Sequence, residues 1–202
     1  MPILGRTIQN LQESQVFSEI IVSTEDSEIA EVASSFGAST EPRRSAHLSD
    51  DYTPTKPVVI DAIKNFNISD PNTLICVVYA TSLLIKPHQY VEAQTIANKL
   101  EEGEQLLAIK KFQHPIERSF VISSSGNLEY KWPDNAEKRT QDFATSYYDC
   151  GQFYWASRKT WLSSQVIQKR IGYEVGNFDA IDLDEISDLE DLIRIIKVNH
   201  LF

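Results

Sequence analysis

The run Leu74-Ile75-Cys76-Val77-Val78-Tyr79 is apolar from end to end and rich in β-branched residues. A strand with one wet face alternates polar and apolar residues; a run without alternation predicts a strand covered by helices on both faces, inside a sheet. Helical and extended segments alternate on either side of it. Upstream, Thr53 and Pro54 stand at N-cap and N1 positions before the stripe Val58, Val59, Ala62, Ile63 and Phe66. Further back, Asp26 is placed to cap a helix whose Ile29, Val32, Ala33 and Phe36 share one face and which Gly37 ends. Glu19 to Thr24 reads as a buried strand, preceded by a helix with Ile3, Leu4, Ile8 and Leu11 on one face.

Downstream, Pro87 opens a helix expected to run to about Glu102. Gln105 to Phe112 and Arg118 to Ser123 are strand-like, and Ser124-Ser125-Gly126-Asn127 is a turn. After an extended stretch through Ile181 to Leu183, a last helix carries Ile186, Leu189, Leu192, Ile193 and Ile196. This order predicts an α/β fold: one domain over 1–202 with a mainly parallel sheet, flanking helices and right-handed crossovers. Ligands then bind beyond the carboxyl ends of the strands. The middle departs from simple alternation, so residues 110–150 are expected to form an inserted strand-rich arm whose Trp132-Pro133 region docks a partner subunit. A doubly wound domain ordinarily begins with a strand and its ligand loop, whereas this chain begins with a helix that feeds a strand; the expectation is that such a front end is missing.

The 202 residues carry a formal charge of −10. Sequence-independent nucleic-acid binding needs a basic footprint, so that class is excluded. No apolar run reaches the ~20 residues of a membrane span, and a cytoplasmic location is expected. Cys76 and Cys150 lack the spacing of a zinc or redox motif and read as reduced core thiols. The glycines form neither a Walker loop nor a dinucleotide fingerprint. What remains is Asp182-Leu183-Asp184 at a strand end, where period-two geometry aims both carboxylates to one side. Hard oxygen ligands of this kind suit Mg²⁺ shared with phosphates. The competing reading is an acidic helix start, favoured by the macrodipole and by Glu185, Asp188, Glu190 and Asp191.

Several segments, taken in order, resemble the N-acylneuraminate cytidylyltransferase family, and most closely its pseudaminic acid branch. They are Ile21-Val22-Ser23-Thr24-Glu25-Asp26 with Glu28-Ile29-Ala30, Leu48-Ser49-Asp50-Asp51, Tyr79-Ala80-Thr81-Ser82, Arg139-Thr140-Gln141-Asp142, Asp149-Cys150-Gly151-Gln152-Phe153-Tyr154-Trp155 and Ile181-Asp182-Leu183-Asp184. The resemblance spans nearly the whole chain and implies a nucleotide-diphospho-sugar transferase-like fold and a homodimer. The implied reaction joins CTP to an acidic nine-carbon sugar with Mg²⁺: the anomeric hydroxyl attacks the α-phosphorus, pyrophosphate leaves and a CMP-sugar forms.

By the same resemblance Asp182 and Asp184 hold the metal, and Arg44, Thr53 and Thr55 approach the nucleotide. Tyr79, Thr81, Ser82, Arg139, Gln141 and Gln152 approach the sugar, Arg139 and Gln141 across a dimer interface. Tyr79 stands where the sialic acid branch has glutamine, which favours the pseudaminic branch. Departures are Ser45 and Leu83, each at a family proline, and the absence of the initial strand with its Gly/Arg/Ser/Lys-rich triphosphate loop. Lacking that loop, the chain is expected to be weakly active or inactive. The alternatives are a non-catalytic nucleotide-fold dimer subunit, or a synthetase for CMP-N-acetylneuraminate or CMP-ketodeoxyoctonate.

Overall fold

The computed structural model describes residues 1–183 and 185–198. A four-stranded sheet has the order β1-β5-β2-β6, built from β1 (Leu74–Val78), β2 (Glu104–Lys111), β5 (Tyr147–Ser157) and β6 (Lys169–Glu174). β5 runs antiparallel to both β1 and β2, and β6 is parallel to β2. Three of the four strands therefore point one way and β5 alone is reversed, which makes the α/β sheet mixed. The reversal comes from the inserted arm, which returns the chain from the far end of the sheet.

β1 has apolar partners on both faces, as its sequence requires. Leu74, Cys76 and Val78 pack with Tyr90, Phe153 and Trp155, while Ile75 and Val77 meet Val59, Ile63 and Trp161 on the other side. Its place in the sheet differs from the expected interior one: among the described residues it pairs only with β5.

The helices follow their signals with specific corrections. In α2 (Ser27–Ser35) the Asp26 carboxylate accepts the N–H groups of Glu28 and Ile29. It ends in a Schellman turn, Ala38 N–H to the Ala33 carbonyl and Gly37 N–H to that of Ser34, with Gly37 at φ +86°. Its buried face is Ala30 and Ala33, and Ile29 is exposed, because small residues let α2 sit close against α1 (Ile3–Ser14). α3 (Thr55–Asn65) takes Pro54 rather than Thr53 as N-cap. α4 (Pro87–Ala97) stops five residues before Glu102, since the N–H groups of Lys99 and Leu100 reach back only three residues and wind the chain off the helix.

Glu19 to Thr24 is not a strand. Its extended backbone makes one two-bond parallel bridge, Val22 N–H to the Ser39 carbonyl and Ser39 N–H to that of Ile20. A single short neighbour supplies too few ladder bonds for more. Residues 110–150 contain the β3 (Phe120–Ile122) and β4 (Leu128–Tyr130) hairpin, turned at Gly126. Phe120, Val121, Ile122 and Leu128 on it are exposed, as is Trp132 beyond it. After the short α5 (Arg158–Leu162) and β6, α6 (Ile186–Val198) buries Leu192 against Leu83 and Leu84. Ile186, Leu189 and Ile193, apolar residues of the same helix, are exposed.

Candidate active site at the carboxyl end of β1

An open cleft of about 550 Å³ lies at the end of β1, lined by Tyr79, Thr81, Asp149, Gly151, Tyr154, Asp182 and Leu183. Three segments converge there. The first is the turn after β1, where Tyr79 N–H and Ser82 Oγ both donate to the carbonyl of Gln152. The second is an irregularity in β5: Leu107 faces Tyr154 and Ile109 faces Asp149, so Cys150 to Phe153 stand opposite Ala108 alone. Such a bulge re-aims side chains. Gly151 occupies it at φ +64°, and its N–H donates to Asp149 Oδ1 over 3.0 Å.

The third segment carries Asp182. A Cβ on Gly151 would lie 3.2 Å from Asp182 Oδ2, so the glycine supplies both the left-handed backbone and the space in which that carboxylate rests. The chain before Asp182 is pinned at several points. Lys110 Nζ donates to the carbonyls of Asn177 and Ala180, both at 2.9 Å. Gln152 Nε2 donates to that of Ile181 at 3.1 Å. Lys86 pairs with Asp179 at 3.0 Å, and Gln89 donates to the same carboxylate.

Asp149 went unnoticed in the sequence, where its motif stood out for its aromatics. Tyr154 Oη donates to both of its oxygens, at 2.9 and 3.0 Å. Burial, and then this hydrogen bond, raise the Tyr154 phenol well above its ordinary range. Tyr154 meets Tyr79 edge-on, ring centroids 6.0 Å apart, and Tyr79 Oη hydrogen-bonds Thr55 Oγ1 at 2.9 Å. Aromatic rings and carboxylates thus line the cleft together. Only the hydrogen-bond partners of a bulged strand, invisible in one sequence, could have singled Asp149 out.

The sequence-derived candidates divide. Tyr79, Thr81 and Asp182 line the cleft, and Thr55 reaches it through Tyr79. Asp184 lies outside the described residues. Ser82 and Gln152 are buried, with side chains spent on backbone carbonyls. Thr53 donates its N–H to Asp50 Oδ1, so the Leu48–Asp51 motif builds a turn ahead of α3. Arg44 does not line the cleft; its Nε donates to Glu25 at 3.1 Å, a bond that lowers the Glu25 pKa. Arg139 pairs with Asp142 on the exposed arm beside exposed Gln141, away from the cleft of the same chain. Arg118, in the same arm, donates to the Lys138 carbonyl. Cys76 and Cys150 are unpaired, and burial pushes the Cys150 thiol up to about 12.

Among the described residues no three metal-ligating side chains cluster. Mg²⁺ needs no protein cage: it typically takes one or two carboxylates and completes its shell with phosphate oxygens and water. Asp182, held against the bulge in the same cleft as the Asp149 carboxylate, fits that requirement.

Comparison with known proteins identifies the family. A family model described as cytidylyltransferase matches residues 1–191. The pseudaminic acid cytidylyltransferase of Campylobacter jejuni is 31% identical over 206 aligned residues, covering 98% of this chain and 87% of that one. N-acylneuraminate cytidylyltransferase B of Danio rerio is 27% identical, covering 91% of this chain and 43% of that one. Among solved structures, a CMP:2-keto-3-deoxy-manno-octonic acid synthetase complexed with CTP superposes with a TM-score of 0.64 at 11% identity, over 98% of this chain and 88% of its own. With a mixed, helix-flanked sheet, a cleft at the carboxyl end of its strands and a family match over nearly its full length, the chain belongs to the cytidylyltransferase family.

Proposed function

We propose that the chain transfers the cytidylyl group of CTP to an acidic nine-carbon sugar of the pseudaminic acid type. The observation that carries this reading is the convergence of Asp182, Tyr79 and Thr81 on one cleft, from segments about a hundred residues apart in sequence. In the reaction an oxygen of the sugar's anomeric hydroxyl forms a bond to the α-phosphorus, the α–β phosphoanhydride bond breaks, pyrophosphate leaves and the hydroxyl proton goes to solvent. Asp182 is the residue that would hold Mg²⁺, with Asp184 two positions further along the sequence; the bound ion would supply charge neutralisation on the phosphate oxygens. Tyr79 and Tyr154 offer apolar faces to the sugar ring, and Thr81 and Asp149 offer hydrogen bonds to its hydroxyl and acylamino groups.

The described residues lining the cleft include no lysine or arginine. A triphosphate held chiefly through a metal is held weakly, so we expect slow transfer relative to the Campylobacter jejuni protein. The same observation favours a second reading, a non-catalytic nucleotide-fold dimer subunit. Exposed Phe120, Ile122 and Leu128 on the hairpin support a homodimer, in which Arg139 and Gln141 would reach the partner's cleft. A reaction that consumes CTP supports a cytoplasmic location, which is part of this proposal. No described helix is long and apolar enough to cross a membrane.

The test is calorimetric titration of CTP in Mg²⁺ with the wild type and with Asp182→Asn. Mg²⁺-dependent binding that the substitution weakens about tenfold or more is expected. CTP binding that ignores both Mg²⁺ and Asp182 would overturn the reading.

A further inference from the structure

We infer that Gln152 is a positioning residue: its side chain holds the strand-end segment carrying Asp182, and it does not touch the sugar. Gln152 is 1% exposed. Its amide nitrogen has two hydrogens, and both are committed, to the carbonyls of Cys150 at 2.8 Å and Ile181 at 3.1 Å. Reversing the amide would turn its oxygen toward those same two carbonyls, so the orientation is fixed by the acceptors around it.

Ile181 is the residue before Asp182, and a carbonyl that shifts carries the next Cα with it. The main chain of Gln152 has a separate task. Its carbonyl accepts from Tyr79 N–H and Ser82 Oγ, which fixes the Tyr79–Thr81 wall. One residue therefore joins three sides of the cleft, yet only the link to Ile181 and the bulge depends on its side chain. Substituting that side chain separates the metal-facing carboxylate from the sugar-facing wall.

The inference rests on the reading that Asp182 faces Mg²⁺, and the experiment treats the two separately. In metal-free protein, hydrogen–deuterium exchange is followed on peptides covering 177–183 and 79–85 for the wild type, Gln152→Met and Gln152→Glu. Exchange should accelerate about tenfold or more in 177–183 for both variants and stay within twofold in 79–85. Unchanged exchange in 177–183 would overturn the inference, as would equal acceleration of both peptides.

In parallel, Mn²⁺ binding in the presence of CTP is measured by electron paramagnetic resonance. A dissociation constant raised about tenfold by Gln152→Met, with affinity for the sugar acid unchanged, is expected. Weakened sugar binding at unchanged Mn²⁺ affinity would mean that Gln152 meets the sugar and would overturn the inference. If the wild type itself binds no Mn²⁺, the metal reading of Asp182 falls and exchange alone decides the role of Gln152. Should Gln152→Met fail to fold, the isosteric Gln152→Glu carries both measurements, with Lys110→Met, which removes the bonds to the Asn177 and Ala180 carbonyls, as the control for a released 177–183 segment.

Discussion

Replacing Gly151 by alanine tests the cleft at its narrowest point. The added methyl meets two costs. A non-glycine residue at φ +64° lies in the left-handed region, at roughly 1–2 kcal/mol. The methyl also lies 3.2 Å from Asp182 Oδ2 and 3.4 Å from Oδ1, closer than ordinary van der Waals contact for the nearer oxygen, so the carboxylate must give way by a few tenths of an ångström. For a domain of this size 1 kcal/mol corresponds to ~2–4 °C in Tm, so the backbone cost alone predicts a fall of ~2–8 °C. Displacing a group that must face reacting atoms predicts a loss of roughly ten- to a hundredfold in transfer rate and a raised Mg²⁺ requirement.

Gly126→Ala is the control. It has φ +83°, and nothing lies within 4 Å of its added Cβ, so it carries the backbone cost with no contact to the cleft. Differential scanning calorimetry together with Mg²⁺-dependent CTP binding separates the two terms. If Gly151→Ala and Gly126→Ala bind CTP with the same Mg²⁺ dependence, Asp182 is not where the metal sits and the reasoning fails.

Three further outcomes follow from the site. Asp149→Asn removes the carboxylate that accepts from Tyr154 Oη and Gly151 N–H; it should raise KM for the sugar about tenfold, worth ~1.4 kcal/mol, with KM for CTP unchanged, and a rise in both would mean that it only braces the bulge. Tyr79→Phe keeps the ring against Tyr154 and loses the hydroxyl bond to Thr55, a loss of ~1 kcal/mol that should raise KM by no more than about fivefold; a larger effect, read by steady-state kinetics, would place the hydroxyl on the substrate. Burial raises the Cys150 thiol to about 12, so above the unfolded thiol's ordinary pKa the unfolded chain sheds a proton that the folded chain keeps, and stability falls between about pH 9 and 12. Denaturant titrations should show a shallower alkaline decline for Cys150→Ala than for the wild type, and equal slopes would contradict the assignment.

The fold was legible wherever local chemistry decides it. The Asp26 cap, the Gly37 turn, Pro87 at a helix start and the unbroken apolar run of β1 each state their structure within a few residues. What stayed hidden depends on distant partners. Ile29 reads as core until small Ala30 and Ala33 bring α2 against its neighbour, and Glu19–Thr24 reads as a strand although one short segment pairs with it. β1 reads as interior because helices cover both its faces, and face coverage says nothing about edge pairing.

The site shows the same division. Asp182 and Tyr79 announced themselves by standing at the ends of extended runs. Asp149 and the true environment of Gln152 emerge only from a bulge whose geometry is set across the sheet by β2. Polar residues beside aromatics read alike in sequence whether they face a cleft, as Asp149 does, or serve backbone carbonyls, as Gln152 does.

The most direct test offers the chain CTP and Mg²⁺ with pseudaminic acid, N-acetylneuraminic acid and ketodeoxyoctonate in competition, and identifies the CMP-sugar by mass spectrometry. The account predicts CMP-pseudaminic acid as the main product, formed slowly and lost with Asp182→Asn. A product that survives Asp182→Asn, a preference for either other sugar, or no CMP-sugar at all would contradict it.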